Sequence, residues 1–427
     1  MSRFHHAVVL LLAAACTRPV PSSPGGEAAR PAAAAEAPAG PFSAEAGRGT
    51  LTPSATRLTP VPGSHPIRPR PDPCLPGNPL ATPRTLAREA RRALEAGQNE
   101  RALDCSEEAS RGAPRLVAAL AVRADSLAAL DRLEEARLAY ARALAIDPNN
   151  PVALLGAADL YVRRLSEERD ALETGLEYAL RGAGAAQRPP YRNKELAADL
   201  YLEAGMAEND LGKNRTALAH LDRALGVLPD DPDVVYERGV ALFELCRFDE
   251  AQRTFERALS LSPDDPWTLH QLGLLAERRG DARRAEELLG RAQRLDPKTF
   301  APDLPVDEQA FRALLDKSLS ELSLSDRQAL ARVPLEVRDL PDLADLLAVD
   351  PPLSPAILGL YRGPPEDEAC GEGEGPQCRS IVLYRKNLVR FAHSREELAE
   401  QVRVTLLHEL GHFRGENDDE LRDRGLE

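Results

Sequence analysis

Residues 217–232 read ALAHLDRALGVLPDDP, residues 251–266 read AQRTFERALSLSPDDP, and residues 284–299 read RAEELLGRAQRLDPKT. Pro229, Pro263 and Pro297 fall 34 residues apart, and an earlier copy, ARLAYARALAIDPNNP at 136–151, puts Pro148 in the same role. Other anchors keep this phase. Gly205, Gly239 and Gly273 mark a small site in the first helix of each copy, with Ala124 there in the early one. Ala136, Ala217, Ala251 and Ala285 hold a small site in the second helix. Tyr140, Leu221, Phe255 and Leu289 stand four residues on, and Ala143, Ala224, Ala258 and Ala292 three after that. Small residues let two antiparallel helices approach closely, the bulky residue fills the gap toward the next pair, and proline stops the second helix. A single pair cannot bury its own apolar face, so such pairs must stack.

The period and its anchors resemble tetratricopeptide repeats. The resemblance implies an α-helical solenoid whose partner is a peptide or protein held on the array. Pro148 to Pro229 spans 81 residues, so 151–197 is expected to be a diverged pair with an insertion near RGAGAAQRPPYRN. Residues 84–115 read as a degenerate first pair. The array is therefore expected over 84–299, with five or six helical hairpins.

After residue 300 the phase is lost. VDEQAFRALLDKSLSELS reads as a helix, and VPLEVRDL, ILGLYRG and SIVLYRKNLVRFA as strands rich in branched and aromatic residues. SREELAEQVRVTLLHELGHFRG is a long helix, with Ser394 and Glu397 in a capping-box pattern and Gly415 placed to stop it. The segment 300–427 is thus expected to be a small α+β domain.

Inside that helix lies His408-Glu409-Leu410-Gly411-His412. Helical spacing puts His408 and His412 on one face, one turn apart, where two imidazoles can meet one Zn²⁺. Glu409 projects from the neighbouring edge and can take a proton from a metal-activated water without ligating the metal. A third protein ligand is needed. The layout H-E-x-x-H-x-x-G-x-x-H of metzincins is matched here through Gly415, with Asp418 in place of the last histidine. Asp418 is the first candidate, and Glu416, Asp419 and Glu420 are its acidic neighbours. No methionine follows Met206, so the metzincin Met-turn is absent. His393, Tyr361 and Tyr384 read as a surface histidine and strand tyrosines and receive no role.

LEVRDLP, ILGLYRG, IVLYRKNLVRFA, REELAEQVRVTLLHELGH and the acidic stretch after Gly415 resemble the minimal zincin-like metallopeptidases over roughly 305–425. The resemblance implies a short sheet backed by helices and a zinc-dependent peptidase. The family often has His-Phe where this chain has Phe413-Arg414, a departure that touches no candidate ligand. The rival expectation is a non-enzymatic envelope scaffold that binds proteins through the repeats, with the zincin domain degenerate or partner-dependent.

The N-terminal part is of another kind. MSRF carries Arg3, AVVLLLAAA is a short apolar run, and Cys16 follows directly. Residues 1–16 resemble a bacterial lipoprotein signal, with Ala13 where leucine is usual, which implies lipidation at Cys16. The expectation is an exported protein anchored in the bacterial cell envelope (periplasm or outer membrane), meeting the membrane only through lipid. Residues 17–83 are rich in Pro, Ala, Gly and Ser and read as a disordered linker. Export implies an oxidising compartment, where Cys370 can pair with Cys378 and Cys74 with Cys105, leaving Cys246 a free buried thiol. Charged residues are 29% of the chain, aromatics 4%, and the net charge is −14. No Lys/Arg tract stands out, so nucleic acid is not expected as a partner.

Overall fold

The computed structural model describes Cys74 and residues 81–166, 168–370 and 378–426. The leader 1–16 with Cys16, and the linker up to residue 80 apart from Cys74, lie outside the described residues. The described residues divide into two compact units, one running to Ala139 and one beginning at Tyr140.

The first unit holds α1 (Pro83–Glu95), α2 (Asn99–Gly112) and α3 (Val117–Ala129), and α4 (Leu133–Ile146) crosses the boundary. Thr82 caps α1 by accepting from the Thr85 N–H, with Pro83 at the first helical position. Cys74 is joined to Cys105 of α2 by a disulfide, packed with Ala90 and Val122.

The second unit continues with α5 (Pro151–Asp159), which runs into a π-helical turn over Leu160–Arg164, then α6 (Arg169–Ala186) and α7 (Lys194–Asp210). Next come α8 (Asn214–Leu225), α9 (Pro232–Glu244), α10 (Phe248–Leu261), α11 (Pro266–Arg278) and α12 (Ala282–Leu295). The recurring Asn-Pro and Asp-Pro dipeptides start helices. Asn150, Asp231 and Asp265 each accept a backbone N–H at the N-terminus, with proline in the first turn, where no N–H is needed. The small and bulky anchors meet as the repeat demands. A Cβ on Gly205 would lie 2.5 Å from Leu221, one on Gly239 2.5 Å from Phe255, and one on Gly273 2.7 Å from Leu289. Glycine is therefore the space that the bulky side chain of the paired helix occupies.

Beyond the repeats lie α13 (Glu308–Glu321), α14 (Leu324–Leu330), β1 (Leu335–Arg338), α15 (Leu343–Leu346), β2 (Gly359–Arg362) and β3 (Ser380–Tyr384). They are followed by α16 (Arg385–Phe391), α17 (Arg395–Phe413) and α18 (Asp418–Asp423). The sheet order is β1-β3-β2, with β3 parallel to β1 and antiparallel to β2. On one face Tyr361, Ile381 and Leu383 join a core with Leu398, Val402, Leu406 and Leu410 of α17. On the other face Leu360, Val382 and Tyr384 pack with Leu346, Leu353, Ile357 and Cys246, which lies in the turn between α9 and α10. Cys246 is a free, buried thiol that donates to the Leu353 carbonyl at 3.6 Å. Glu277 of α11 accepts from Lys386 at 3.0 Å and from Arg390 at 2.5 Å. Phe300 packs edge-on against Trp267, with ring centroids 4.9 Å apart.

Two local expectations change. SIVLYRKNLVRFA is not one strand, because β3 ends at Tyr384 and Arg385–Phe391 coils into α16. Asn387 anchors that turn by donating to the carbonyls of Pro355 at 3.0 Å and Ile357 at 2.7 Å. Arg385 and Lys386, at the start of that helix, pair with Asp339 and Glu277. The acidic stretch after Gly415, read without secondary structure, forms α18. Among the described residues no helix is long and apolar enough to cross a membrane.

Candidate metal centre

Helix α17 carries the candidate residues. Ser394 caps it by accepting the Glu397 N–H at 3.0 Å. The reciprocal arm of Glu397 takes the His393 N–H at 2.7 Å rather than that of Ser394, so the expected capping box is displaced by one residue. His408 and His412 are buried, with Nε2 atoms 3.0 Å apart. Gly415, at φ 89°, ends the helix, and the Glu416 N–H closes onto the Gly411 carbonyl at 3.0 Å. Asn417 then opens α18 in a capping box with Glu420, which places Asp418 at the first helical position.

Asp418 Oδ1 lies 3.7 Å from His408 Nε2 and 3.6 Å from His412 Nε2. Three donor atoms of these two histidines and Asp418 thus converge within 4.8 Å of one another. Zinc bonds of about 2.0–2.1 Å in a tetrahedron set donor atoms roughly 3.3 Å apart, so this triangle fits a zinc ion. The acidic neighbours are engaged elsewhere. Glu416 pairs with Arg424, Asp419 pairs with Arg422 at 2.8 Å, and Glu420 accepts the Asn417 N–H at 2.8 Å.

The outer ring nitrogens are fixed by main chain. His408 Nδ1 meets the Leu426 carbonyl at 2.6 Å, and His412 Nδ1 meets the Glu416 carbonyl at 2.9 Å. A carbonyl only accepts, so each Nδ1 carries a proton, and each Nε2 is turned toward the centre. Burial and the neighbouring His408 push His412 down to about 4, against the pull of the Glu416 carbonyl, so its ring is neutral near pH 7. Two Nε2 atoms 3.0 Å apart, with Asp418 beside both, are an arrangement that one cation can bridge.

Glu409 is fully buried beside β2. A Cβ at Gly359 would lie 2.9 Å from its Oε1 and 2.6 Å from Thr405 Cγ2, so the glycine that begins β2 makes room for the carboxylate. Burial raises the Glu409 carboxyl well above its ordinary range, the Tyr361 backbone N–H opposes this, and the charge of Asp418 adds to it. That direction suits a proton acceptor. Tyr361 donates to the Pro364 carbonyl and Tyr384 to Asp345 at 3.3 Å, so both hydroxyls serve protein acceptors. The His393 side chain is exposed, 3.4 Å from Glu397. A disulfide joins Cys370 to Cys378, and the residues between them lie outside the described ones. Sequence reasoning missed Gly359 and the carbonyls of Glu416 and Leu426. The glycine opening the run GLYR was the one signal for the first, and Gly415 and Gly425 were the signals for the carbonyls.

Residues 330–426 match the zincin-like metallopeptidase family, and residues 233–298 and 88–151 match tetratricopeptide-repeat families. No curated protein matches the chain. Among solved structures the chain is similar to PilW, a type IV pilus biogenesis factor, at 19% identity and a TM-score of 0.44, covering 54% of this chain and 98% of that one. It is similar to PilF of Pseudomonas aeruginosa at 19% identity and a TM-score of 0.43, covering 51% and 92%. YrrB, a repeat protein with an unusual peptide-binding site, matches at 20% identity and a TM-score of 0.35, covering 45% and 93%. By the family matches alone, the chain carries tetratricopeptide repeats followed by a C-terminal zincin-like domain.

Proposed function

We propose that the zincin-like domain is a zinc-dependent peptidase and that the repeats recruit its protein substrate or a partner. The observation that carries this reading is the triangle of His408, His412 and Asp418 with Glu409 buried beside it. The three side chains would hold Zn²⁺, which when bound supplies Lewis acidity toward a peptide carbonyl and a water. Glu409 takes the proton of the attacking water and passes it to the departing amine. General-base assistance is worth roughly 10²–10⁴-fold, so Glu409→Gln should lose hydrolysis of an unfolded protein substrate by that factor and keep its zinc content. Retained hydrolysis in that variant would sink the mechanism.

We further propose export and lipidation at Cys16, with the repeats and peptidase facing the cell envelope. The two disulfides, Cys74–Cys105 and Cys370–Cys378, support an oxidising compartment. Metabolic labelling with a clickable fatty acid checks this, with label expected on the native chain and lost in Cys16→Ala.

A further inference from the structure

Two helix ends in this domain are built alike, and each delivers a carbonyl to a histidine. At the end of α17, Gly415 adopts φ 89° and the Glu416 N–H returns to the Gly411 carbonyl at 3.0 Å. At the end of α18, Gly425 adopts φ 70° and the Leu426 N–H returns to the Leu421 carbonyl at 3.0 Å. Both are Schellman stops, in which the residue after the left-handed glycine closes the helix with its N–H. That same residue offers its carbonyl, Glu416 to His412 Nδ1 at 2.9 Å and Leu426 to His408 Nδ1 at 2.6 Å. Between the two stops lies Asp418, level with both Nε2 atoms.

The stretch 416–426 is also seated as one piece. Leu421 is fully buried against Gly411, where an added Cβ would collide with it and approach Glu416 Oε2 to 2.9 Å. Arg424 pairs with Glu416 and so ties the stretch to itself.

We infer that Gly415 and Gly425 are positioning residues for the metal, and that the stretch 416–426 acts as a clasp. It supplies the third ligand and fixes the lone-pair direction of the other two. This rests on the metal reading of the site. Zinc affinity then depends on the turn at Gly425, although no side chain there touches the centre. By linkage, zinc stabilises the clasp to the same degree that the clasp strengthens zinc.

Gly425 gives a clean test, because a Cβ there meets nothing within 4 Å and only the positive φ resists substitution. Valine is poorly tolerated in that conformation, whereas asparagine adopts it. Zinc affinity of the full chain is measured by competition with a chromophoric chelator, together with the Co²⁺ ligand-field spectrum and the melting point of the metal-free protein. Loss of an outer-shell partner typically costs about 10–100-fold in metal affinity. Gly425→Val should weaken zinc by that factor and alter the Co²⁺ spectrum, while Gly425→Asn stays near wild type and the metal-free melting points of all three agree. Wild-type affinity in Gly425→Val, or equal losses in the valine and asparagine variants, would overturn the clasp. A wild-type chain that takes up no zinc would overturn the metal reading beneath it.

Discussion

The repeat array and the zincin-like domain solve opposite problems with the same small residues. In the array, Gly239 exists so that Phe255 can sit on it, and the identical contact recurs one period away at Gly205 with Leu221 and Gly273 with Leu289. Its energy is spread over copies, and each contact is about packing alone. In the zincin-like domain, Gly359 leaves room for Glu409, and Gly411 leaves room for Leu421 of the 416–426 stretch. Neither has a second copy, and both act on chemistry rather than on bulk burial. Redundant contacts confer stability, whereas unique contacts place atoms.

The comparison can be broken most forcefully at Phe255, which is fully buried. Phe255→Ala should cost about 3–5 kcal/mol in denaturant unfolding, with zinc content of the folded protein unchanged. A loss under about 1 kcal/mol would mean that the repeats do not share their load as described.

A second test lies where the two regions meet. His270 of α11 packs beside Phe300, with ring centroids 4.9 Å apart. Burial, with Arg390 nearby and Glu277 opposing, pushes it down to about 4. The unfolded chain therefore binds the proton first as pH falls. The stability linked to His270 is fully present above about 6.5 and is lost as pH drops through about 4, by roughly 3 kcal/mol at most. Acidification should destabilise His270→Gln less steeply than wild type over that window, as read by chemical unfolding at stepped pH. Equal slopes would remove His270 from the account.

The finest test makes one substitution twice. Gly239→Ala places a Cβ 2.5 Å from Phe255 and should cost about 1–3 kcal/mol of stability without touching zinc affinity. Gly411→Ala pushes on Leu421 and should weaken zinc by about 10–100-fold with a smaller change in unfolding. If both variants lost the same quantity, the division between load-sharing and atom-placing contacts would fail.

This division also explains how much could be read beforehand. The array was legible because each anchor is repeated at a fixed interval, so chance agreement is improbable at Pro229, Pro263 and Pro297 together. That His408 and His412 share a face was legible because helical geometry follows from spacing alone, and the approach of Asp418 to them from its offset past Gly415. Helix α16 was not legible, because Asn387 answers to carbonyls some thirty residues away in sequence. The carbonyls of Glu416 and Leu426 were invisible for a different reason. Every residue has a carbonyl, and only the left-handed glycines beside these two hinted that they were being aimed.

The contact of Cys246 with Leu353, and of Glu277 with Lys386 and Arg390, sets a rule for how such a chain can lengthen. A whole repeat added ahead of α7 leaves these contacts, and the pairing of Arg215 in α8 with Asp350, in place. A repeat inserted between Cys246 and Glu277 moves one of these contacts by a full helical pair while the other stays, and the sheet beside Glu409 loses half its backing. The molecule is extensible at one end and indivisible at the other, so variation in repeat number among chains of this design should accumulate on the N-terminal side of α7.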